Sequence, residues 1–350
     1  MIKMNDYRDG VRRFDKAARG LGQHIFERII RIDEELKSSA QEIRLRVNKP
    51  VMIYTAADTF YLTCDGAAVK EQQPGRMIIA TQRDISDSFQ TLCNYSVYSR
   101  QNEIRKGFIT TQGGHRAGLC GSAVYRGGEI YNIRDISGVN LRIAREIFGC
   151  ADKLMGYIKD LNGGMLICGP PSCGKTTLLR DVARQLSAVY GKKTAVIDER
   201  GELAATFAGT PQNDLGYSDV LDGFSKCDGV MQAVRCLSPD YIICDEIGSS
   251  DETFLLEQSL NAGVRVIATI HAANSEELLN KPQGLALLRT GAFEKIVFLK
   301  TRENPGEIKK VYSKEELLVG KSTGNNNDNN RRSVVGASPF PKNNKQNYVF

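Results

Sequence analysis

Several features that would mark a membrane-spanning or secreted protein are missing from this sequence. It has no tryptophan and only three histidines in 350 residues, and no stretch approaches the roughly 20 apolar residues of a membrane span. The opening residues MIKMNDYRDG hold no apolar core of the kind found in secretory signals. The nine cysteines are an odd number and form no CxxC pair, which argues against a disulfide framework or a zinc ribbon. We therefore expect a protein of the reducing cytoplasm.

A strongly basic face is also missing once the net charge of +6 is divided along the chain. Residues 321–350 hold five basic residues and one acidic residue, so little net charge remains for the rest. The near-neutral remainder indicates no direct nucleic-acid partner. The last part of the chain is rich in asparagine and too polar to bury a core, which predicts disorder.

The hydrophobic pattern divides the chain into three regions. We assign residues 1–149 to a smaller N-terminal α+β domain, 150–318 to an α/β domain and 319–350 to a disordered, Asn-rich basic tail. In the second region, short apolar runs alternate with amphipathic helices, which is typical of a mainly parallel sheet. Its predicted strands are 165–168, 194–198, 241–245, 264–270 and 295–299.

The first region shows no catalytic motif of its own. Apolar residues at four-residue spacing predict a helix near 21–29, and period-2 alternation predicts strands within 42–54. Thr81 and Asp84 fit a capping box that opens a helix running to about Tyr95. Gly-Gly turns punctuate further short strands up to residue 136.

Residues 169–176 read GPPSCGKT, which fits the phosphate-loop pattern GxxxxGK[ST] between a predicted strand and a predicted helix. Backbone N–H groups in such a loop bind phosphates. We expect Lys175 to bridge the β- and γ-phosphates of ATP and Thr176 to hold Mg²⁺. The helix start should lower the pKa of a thiol at Cys173, but we expect this position to contribute only its backbone. The predicted nucleotide-binding residues are Gly169, Pro170, Pro171, Ser172, Cys173, Gly174, Lys175, Thr176 and Thr177.

Two carboxylates end the apolar run YIICDE. At the carboxyl end of a central strand, Asp245 would reach the Mg²⁺ shell, and Glu246 would polarise the attacking water. Paired acids of this kind favour hydrolysis over mere nucleotide binding. A structural subunit that binds nucleotide with negligible turnover remains an alternative.

Two further strand ends carry candidate catalytic groups. The run VIDERGE presents Asp198, Glu199 and Glu202, and we expect its strand to lie next to the phosphate-loop strand. We name Glu199 as the catalytic candidate, with Asp198 and Glu202 left open. His271 ends the run ATIH, which places it as a γ-phosphate sensor.

Taken in order, GPPSCGKT, VIDERGEL, SPDYIICDEIG and NAGVRVIATIHA resemble the motifs of secretion-type ATPases of the RecA-like P-loop class. The stretches EIRLRVNKPVMI, GFITTQGGHRAGLCG and NLRIAREIFG are similar to the stage III sporulation protein AA family. This resemblance covers about residues 20–312, and the Asn-rich tail departs from it.

The resemblance implies a RecA-like ATPase domain and an ATP-hydrolysing motor of a sporulation-specific secretion or channel complex. Such a motor would act at the cytoplasmic, mother-cell base of the channel, peripheral to the membrane around the forespore. It would form a homo-oligomeric ring, a hexamer, and contact integral membrane proteins of the channel.

Ring ATPases often complete each site with an arginine of the neighbouring subunit. Arg142 and Arg145 are three residues apart and would share one face if their segment were helical, so we name both as catalytic candidates. Arg116, Arg134 and Arg235 stay open for the same role.

Two other activities have weaker support in the sequence. A nucleic-acid-dependent P-loop ATPase remains an alternative that rests on the basic tail alone. A GTPase is disfavoured because residues 280–283 read NKPQ, which lacks the aspartate that reads guanine.

Overall fold

The computed structural model describes residues 2–159, 161–248, 259 and 262–318. Within them, two seven-stranded sheets are accompanied by separate apolar cores, and a two-stranded pair lies beside the first sheet. The architecture is mixed α/β, as the sequence predicts. The predicted tail of residues 319–350 lies outside the described part of the chain.

The first sheet is built from antiparallel neighbours in the order β5-β4-β3-β1-β9-β8-β7, while β2 pairs with β6. The strands are β1 (Glu42–Arg46), β2 (Lys49–Pro50), β3 (Met52–Tyr54), β4 (Thr59–Leu62), β5 (Ala68–Val69), β6 (Ile79–Ala80), β7 (Phe108–Thr110), β8 (Arg116–Arg126) and β9 (Glu129–Arg142). The helices are α1 (Ile2–Ala18), α2 (Gln23–Ile29), α3 (Glu34–Ser39), α4 (Gln82–Leu92) and α5 (Gln101–Arg105), with a 3₁₀ turn at Tyr98–Arg100. Apolar side chains from these helices and from β1 and β9 share one core.

The capping box predicted for α4 is present. The Thr81 side chain accepts from the backbone of Asp84, whose side chain accepts in return from the backbone of Thr81. The helix ends at Leu92 and not near Tyr95 as predicted. Asn94 and Tyr95 adopt φ values of 50° and 56°, in the left-handed region where a right-handed helix cannot continue.

The second sheet has the order β12-β11-β13-β14-β10-β15-β16, parallel except for β16. Its strands are β10 (Gly164–Gly169), β11 (Thr194–Asp198), β12 (Asp219–Asp222), β13 (Tyr241–Cys244), β14 (Arg265–His271), β15 (Phe293–Leu299) and β16 (Ile308–Ser313). The helices are α6 (Asp152–Ile158), α7 (Lys175–Arg184), α8 (Lys226–Gln232), α9 (Ser275–Asn280) and α10 (Pro282–Arg289), with π-helical turns at Gln185–Val189 and Ala233–Leu237.

All five predicted strands of this sheet are present, but one expectation about their neighbours is wrong. The strand β11 does not lie next to β10, because β13 and β14 separate them. The sequence also gave no signal for β12 and β16. Both are edge strands with partly exposed patterns, so they lack the continuous apolar run of a buried strand.

The two halves of the chain meet close to the carboxyl edge of the second sheet. The backbone N–H of Gly113 donates to the Gln212 side chain over 2.7 Å, and the guanidinium of Arg116 lies 3.1 Å from the carboxylate of Glu202. The condition for Arg142 and Arg145 to share a helical face is not met. Arg142 ends β9, and the residues between it and Arg145 form no helix.

Among the described residues, no helix is both long enough and apolar enough to cross a membrane.

Candidate nucleotide site

The phosphate loop connects β10 to α7. Gly169 ends the strand and Lys175 begins the helix. Within the turn, Ser172 and Gly174 have φ values of 61° and 91°. A Cβ on Gly174 would lie 2.8 Å from the backbone nitrogen of Gly306. The N–H of Gly306 donates to the backbone carbonyl of Cys173 over 2.8 Å. The loop between β15 and β16 therefore supports the turn from outside.

The loop opens into a cavity of about 410 Å³ at the carboxyl edge of the sheet. Such volumes are typical of small-molecule sites, and this edge is where α/β sheets bind ligands. Side chains following β10, β11, β13, β14 and β15 meet there. The lining residues are Pro171, Ser172, Gly174, Lys175, Thr176, Thr177, Glu202, Asp245, Glu246, His271 and Pro305.

Lys175 contacts both the phosphate loop and the end of β14. Its ammonium donates to the carbonyls of Gly169 (2.9 Å) and Pro170 (2.8 Å) and to Nδ1 of His271 (3.2 Å). An ammonium group only donates, so Nδ1 of His271 is the acceptor and Nε2 carries the hydrogen of the neutral ring. Nε2 in turn lies 3.2 Å from Oε1 of Glu246. His271 thus connects the loop lysine to Glu246.

Asp245 is held from two sides by hydroxyl groups. Oγ1 of Thr176 donates to Oδ2 of Asp245 over 2.5 Å, and Oγ1 of Thr269 donates to Oδ1 over 2.5 Å. Glu246 follows with a φ of 55° and donates its backbone N–H to Thr269 over 2.8 Å. The Glu246 carboxylate also pairs with Arg200. The structure thus brings together the predicted lysine, threonine, histidine and paired acids.

The three acids after β11 lie in different surroundings. Asp198 is buried, and its carboxylate accepts from the backbone N–H groups of Glu202 (2.8 Å) and Ala204 (2.7 Å). Glu199 pairs with Lys226 over 3.1 Å and does not line the 410 Å³ cavity. Glu202 does line it. Of these three acids, the geometry therefore favours Glu202 over Glu199, the candidate named from the sequence, as the one that faces the cavity.

A second cavity of about 300 Å³ adjoins Thr176 and collects arginines from both halves of the chain. Arg116, Arg142 and Arg145 come from the N-terminal half, and Arg180 comes from α7. Burial lowers the pKa of Arg180, which donates to the backbone carbonyl at residue 202. The site is thus flanked by positive charge from the same chain.

Arg142 and Arg145, the arginines named as catalytic candidates, differ in the contacts that hold their side chains. Arg142 is largely exposed, and its nearest acid is Glu42 at 3.8 Å. Arg145 donates to the carbonyls of Ser38 (2.6 Å) and Ala40 (2.8 Å), which ties it to the N-terminal half.

Two further arginines considered from the sequence lie away from both cavities. Arg134 lies 3.4 Å from its neighbour Asp135 on β9, and Arg235 lies in the π-helical turn before β13. Neither lines the cavities described above.

The expectation for the Cys173 thiol is wrong. Its side chain is fully buried, and this burial raises the thiol pKa despite nearby Lys175. The desolvation of a thiolate outweighs the favourable field of the helix start. Cys173 therefore contributes its backbone to the loop and a small apolar side chain to the core beneath it.

The donor set fits a magnesium ion held together with nucleotide phosphates. The hydroxyl of Thr176 and the carboxylate of Asp245 are hard oxygen donors in direct contact, and Mg²⁺ is usually bound by one or two carboxylates plus phosphates and water. Across the described ranges, no group of three or more His, Cys, Asp or Glu side chains is placed to hold a metal alone. Phosphate and water would supply the remaining ligands.

Sequence reasoning missed three contributors to this site. Thr269 was available as the one polar residue inside the buried run VIATI, two residues before His271. Arg180 gave no signal, since an arginine on an amphipathic helix is ordinarily solvated. Pro305 could not be placed because the β15–β16 hairpin itself was not predicted.

The sheet order, the phosphate loop and the strand-end acids define the fold class of RecA-like P-loop ATPases. In agreement, the structure is similar to that of the Yersinia pseudotuberculosis ATPase DotB, with a TM-score of 0.51, 15% identity and coverage of 81% of this chain and 79% of that one. The Legionella pneumophila ATPase DotB gives a TM-score of 0.48 at 14% identity, covering 76% and 73% of the two chains.

Within this class, the chain belongs to the family described as sporulation stage III, protein AA, whose model matches residues 16–319. A curated relative from Bacillus subtilis (strain 168), named stage III sporulation protein AA, is 36% identical over 300 residues, which cover 84% of this chain and 93% of the relative. The family identified from the sequence motifs is confirmed.

Proposed function

We propose that the protein is the Mg²⁺-dependent, ATP-hydrolysing motor of a sporulation-specific secretion or channel complex. One observation carries this proposal: Lys175, Thr176, Asp245, Glu246 and His271 line a single cavity at the carboxyl edge of the sheet. Membership in a sporulation family supports the biological setting, and the fold shared with the ATPase DotB supports an ATPase.

Each residue has a role that follows from its chemistry. The loop N–H groups and Lys175 bind the phosphates of ATP, and Thr176 with Asp245 would hold Mg²⁺. When bound there, the ion would neutralise charge on the β- and γ-phosphates. Glu246 orients and polarises the attacking water, with His271 bonded to its carboxylate.

The proposed setting extends beyond the single chain. The motor works as a homo-oligomeric ring, a hexamer, on the mother-cell side of the membrane around the forespore, and integral membrane proteins of the channel anchor it. We also propose that residues 1–149 form the smaller N-terminal domain and 150–318 the ATPase domain. The end of the first sheet at Arg142 and the start of the second at Gly164 support this boundary.

Two variants of the full chain test the proposal by separating binding from turnover. Lys175→Ala should abolish ATP binding, since it removes the ammonium that contacts the phosphates. Glu246→Gln should retain ATP binding and lose turnover by about 10²-fold or more, as expected when a general base is removed. Equilibrium binding of a fluorescent ATP analogue and phosphate release measure the two properties.

Matched controls are available on the same domain. Lys309→Ala and Glu276→Gln change exposed residues that do not line the cavity and should leave both properties unchanged. Normal hydrolysis by Glu246→Gln would contradict the catalytic assignment. ATP binding without measurable turnover in the wild type would favour a structural nucleotide-binding subunit, and stimulation by single-stranded nucleic acid would favour the nucleic-acid-dependent alternative.

A further inference from the structure

Thr269 lies where the phosphate-loop strand and the acid-bearing strand approach each other. On one side it is in register with Ile167 of β10, and on the other side its neighbour Ala268 is in register with Cys244, the last residue of β13. The Thr269 side chain is fully buried. Its backbone carbonyl accepts from the N–H of Ile247 over 2.8 Å, so the chain after β13 remains attached to β14.

The Thr269 hydroxyl both donates and accepts a hydrogen bond, and its two partners are Asp245 and Glu246. It donates to Oδ1 of Asp245 over 2.5 Å and accepts from the backbone N–H of Glu246 over 2.8 Å. The Thr269 hydroxyl has only one hydrogen, so Oδ2 of Asp245 takes its hydrogen bond from another donor. Thr176 supplies it over 2.5 Å. A continuous chain of hydrogen bonds therefore runs from the first turn of α7 to the backbone of Glu246.

The hydrogen bond between Thr269 and the Glu246 N–H holds a residue whose backbone conformation is unfavourable. At a φ of 55°, Glu246 lies in the left-handed region, which disfavours residues other than glycine. Strain of this kind persists only where surrounding contacts enforce it. The same conformation places the Glu246 carboxylate 3.2 Å from Nε2 of His271. The hydroxyl thus helps to fix the direction in which the Glu246 side chain leaves the strand.

We propose that Thr269 is a positioning residue for ATP hydrolysis, whose hydroxyl orients the Asp245 carboxylate and the Glu246 backbone together. This inference rests on the proposed function. Loss of the Thr269 hydroxyl should weaken Mg²⁺ binding, which depends on Asp245, and slow turnover, which depends on Glu246. Binding of ADP in the absence of Mg²⁺ depends on the phosphate loop alone and should be unaffected.

The test compares Thr269→Val, which keeps the shape without the hydroxyl, with Thr269→Ser, which keeps the hydroxyl. In the full chain, Thr269→Val should lose turnover by about 10- to 100-fold, the effect expected when buried partners are left unpaired. It should also raise the Mg²⁺ concentration needed for half-maximal turnover. Thr269→Ser should stay within about 3-fold of the wild type. Affinity for ADP in EDTA should match the wild type in both variants.

Thr194→Val is the matched control. Thr194 is a buried threonine on β11 whose hydroxyl donates to the carbonyl of Lys192 over 3.1 Å. Its replacement should leave the Mg²⁺ dependence unchanged.

Several results would overturn the inference. Wild-type turnover and Mg²⁺ dependence in Thr269→Val would do so, as would a Thr269→Ser variant as impaired as Thr269→Val. If Thr269→Val and the smaller Thr269→Ala both melt early enough to explain their loss of activity, the role is structural and not positional. A wild type that binds no ATP would overturn the proposed function and this inference together, a result distinct from all of these.

Discussion

At the residue scale, the acids at and after the end of β11 divide by their surroundings, which predicts a structural role for Asp198 and a functional role for Glu202. The sequence presents Asp198, Glu199 and Glu202 as equivalent candidates, but only Asp198 is buried and bonded to two backbone N–H groups. Glu202 is part of the loop that Asp198 shapes, and it is the one of these three acids that lines the 410 Å³ cavity. One buried carboxylate therefore positions another that faces solvent and ligand.

This division predicts different consequences for conservative substitutions. Asp198→Asn should lower the free energy of unfolding by about 1–3 kcal/mol, because an amide cannot accept from both N–H groups equally well. Glu202→Gln should lower turnover by about 10-fold or more with an unchanged melting temperature. Glu199→Gln serves as the control and should change turnover least. Urea unfolding and phosphate release measure the two effects, and equal losses in Glu199→Gln and Glu202→Gln would contradict the assignment.

His115 gives a residue-scale prediction about pH. The ring is fully buried, its Nδ1 accepts from the N–H of Ala144 over 3.1 Å, and its Nε2 has no partner among the described residues. Burial, reinforced by Arg13 and Lys16, lowers the histidine pKa to about 3. The unfolded chain binds a proton near pH 6.5 while the native state excludes it, so stability falls as pH decreases from about 6.5 towards 3.

Between pH 7 and pH 5, this effect should remove about 2 kcal/mol of stability. His115→Asn preserves an acceptor for the Ala144 N–H and should abolish that part of the pH dependence, whatever its effect on stability at pH 7. Urea unfolding at pH 7, 6 and 5 gives the comparison. His24→Asn is the control, since His24 is half exposed. Parallel pH profiles for wild type and His115→Asn would contradict the prediction.

At the scale of elements, the segment between the two sheets explains why two nearby arginines should behave differently. Arg142 leaves the end of β9 with most of its side chain in solvent, whereas Arg145 bonds to two carbonyls at the end of α3 and just beyond it. Desolvation lowers the pKa of Arg145, but the guanidinium keeps its charge at neutral pH. Arg145 therefore anchors the start of the connecting segment to the N-terminal half.

Arg145→Ala should accordingly lower the free energy of unfolding by about 1–3 kcal/mol, because two carbonyls lose a charged donor. Arg142→Ala should change it by about 0.5 kcal/mol or less, as for other exposed ion pairs. Thermal and urea unfolding of the two variants and the wild type provide the measurement. A larger destabilisation by Arg142→Ala would show that the connection is secured elsewhere.

At the scale of the whole molecule, the proposed ring predicts catalysis that depends on assembly. Specific ATPase activity of the purified protein should rise steeply with protein concentration if neighbouring subunits complete each site. Adding the inactive Glu246→Gln variant to wild-type protein should then reduce activity by more than dilution explains. Adding the Lys175→Ala variant at the same ratio is the control, because this variant should bind no ATP whereas Glu246→Gln should bind ATP without hydrolysing it.

Constant specific activity across concentrations, with simple additive mixing, would mean that each subunit is catalytically complete. The arginines of the 300 Å³ cavity lie beside Thr176 of their own chain, so this outcome would assign them to their own site.

The sequence by itself determined the elements whose signals are local. The phosphate loop, the acid-ended strand and the capping box of α4 follow from residue types at fixed spacing, and buried parallel strands read as continuous apolar runs. The tertiary structure alone decided what depends on sheet order and packing. The placement of β14 beside β10 brings Thr269 and His271 to the loop, and the fold around Asp198 selects Glu202. The raised pKa of the Cys173 thiol likewise reflects burial beneath the loop. Such contacts join residues distant in the chain, and no spacing rule in one sequence encodes which strands become neighbours.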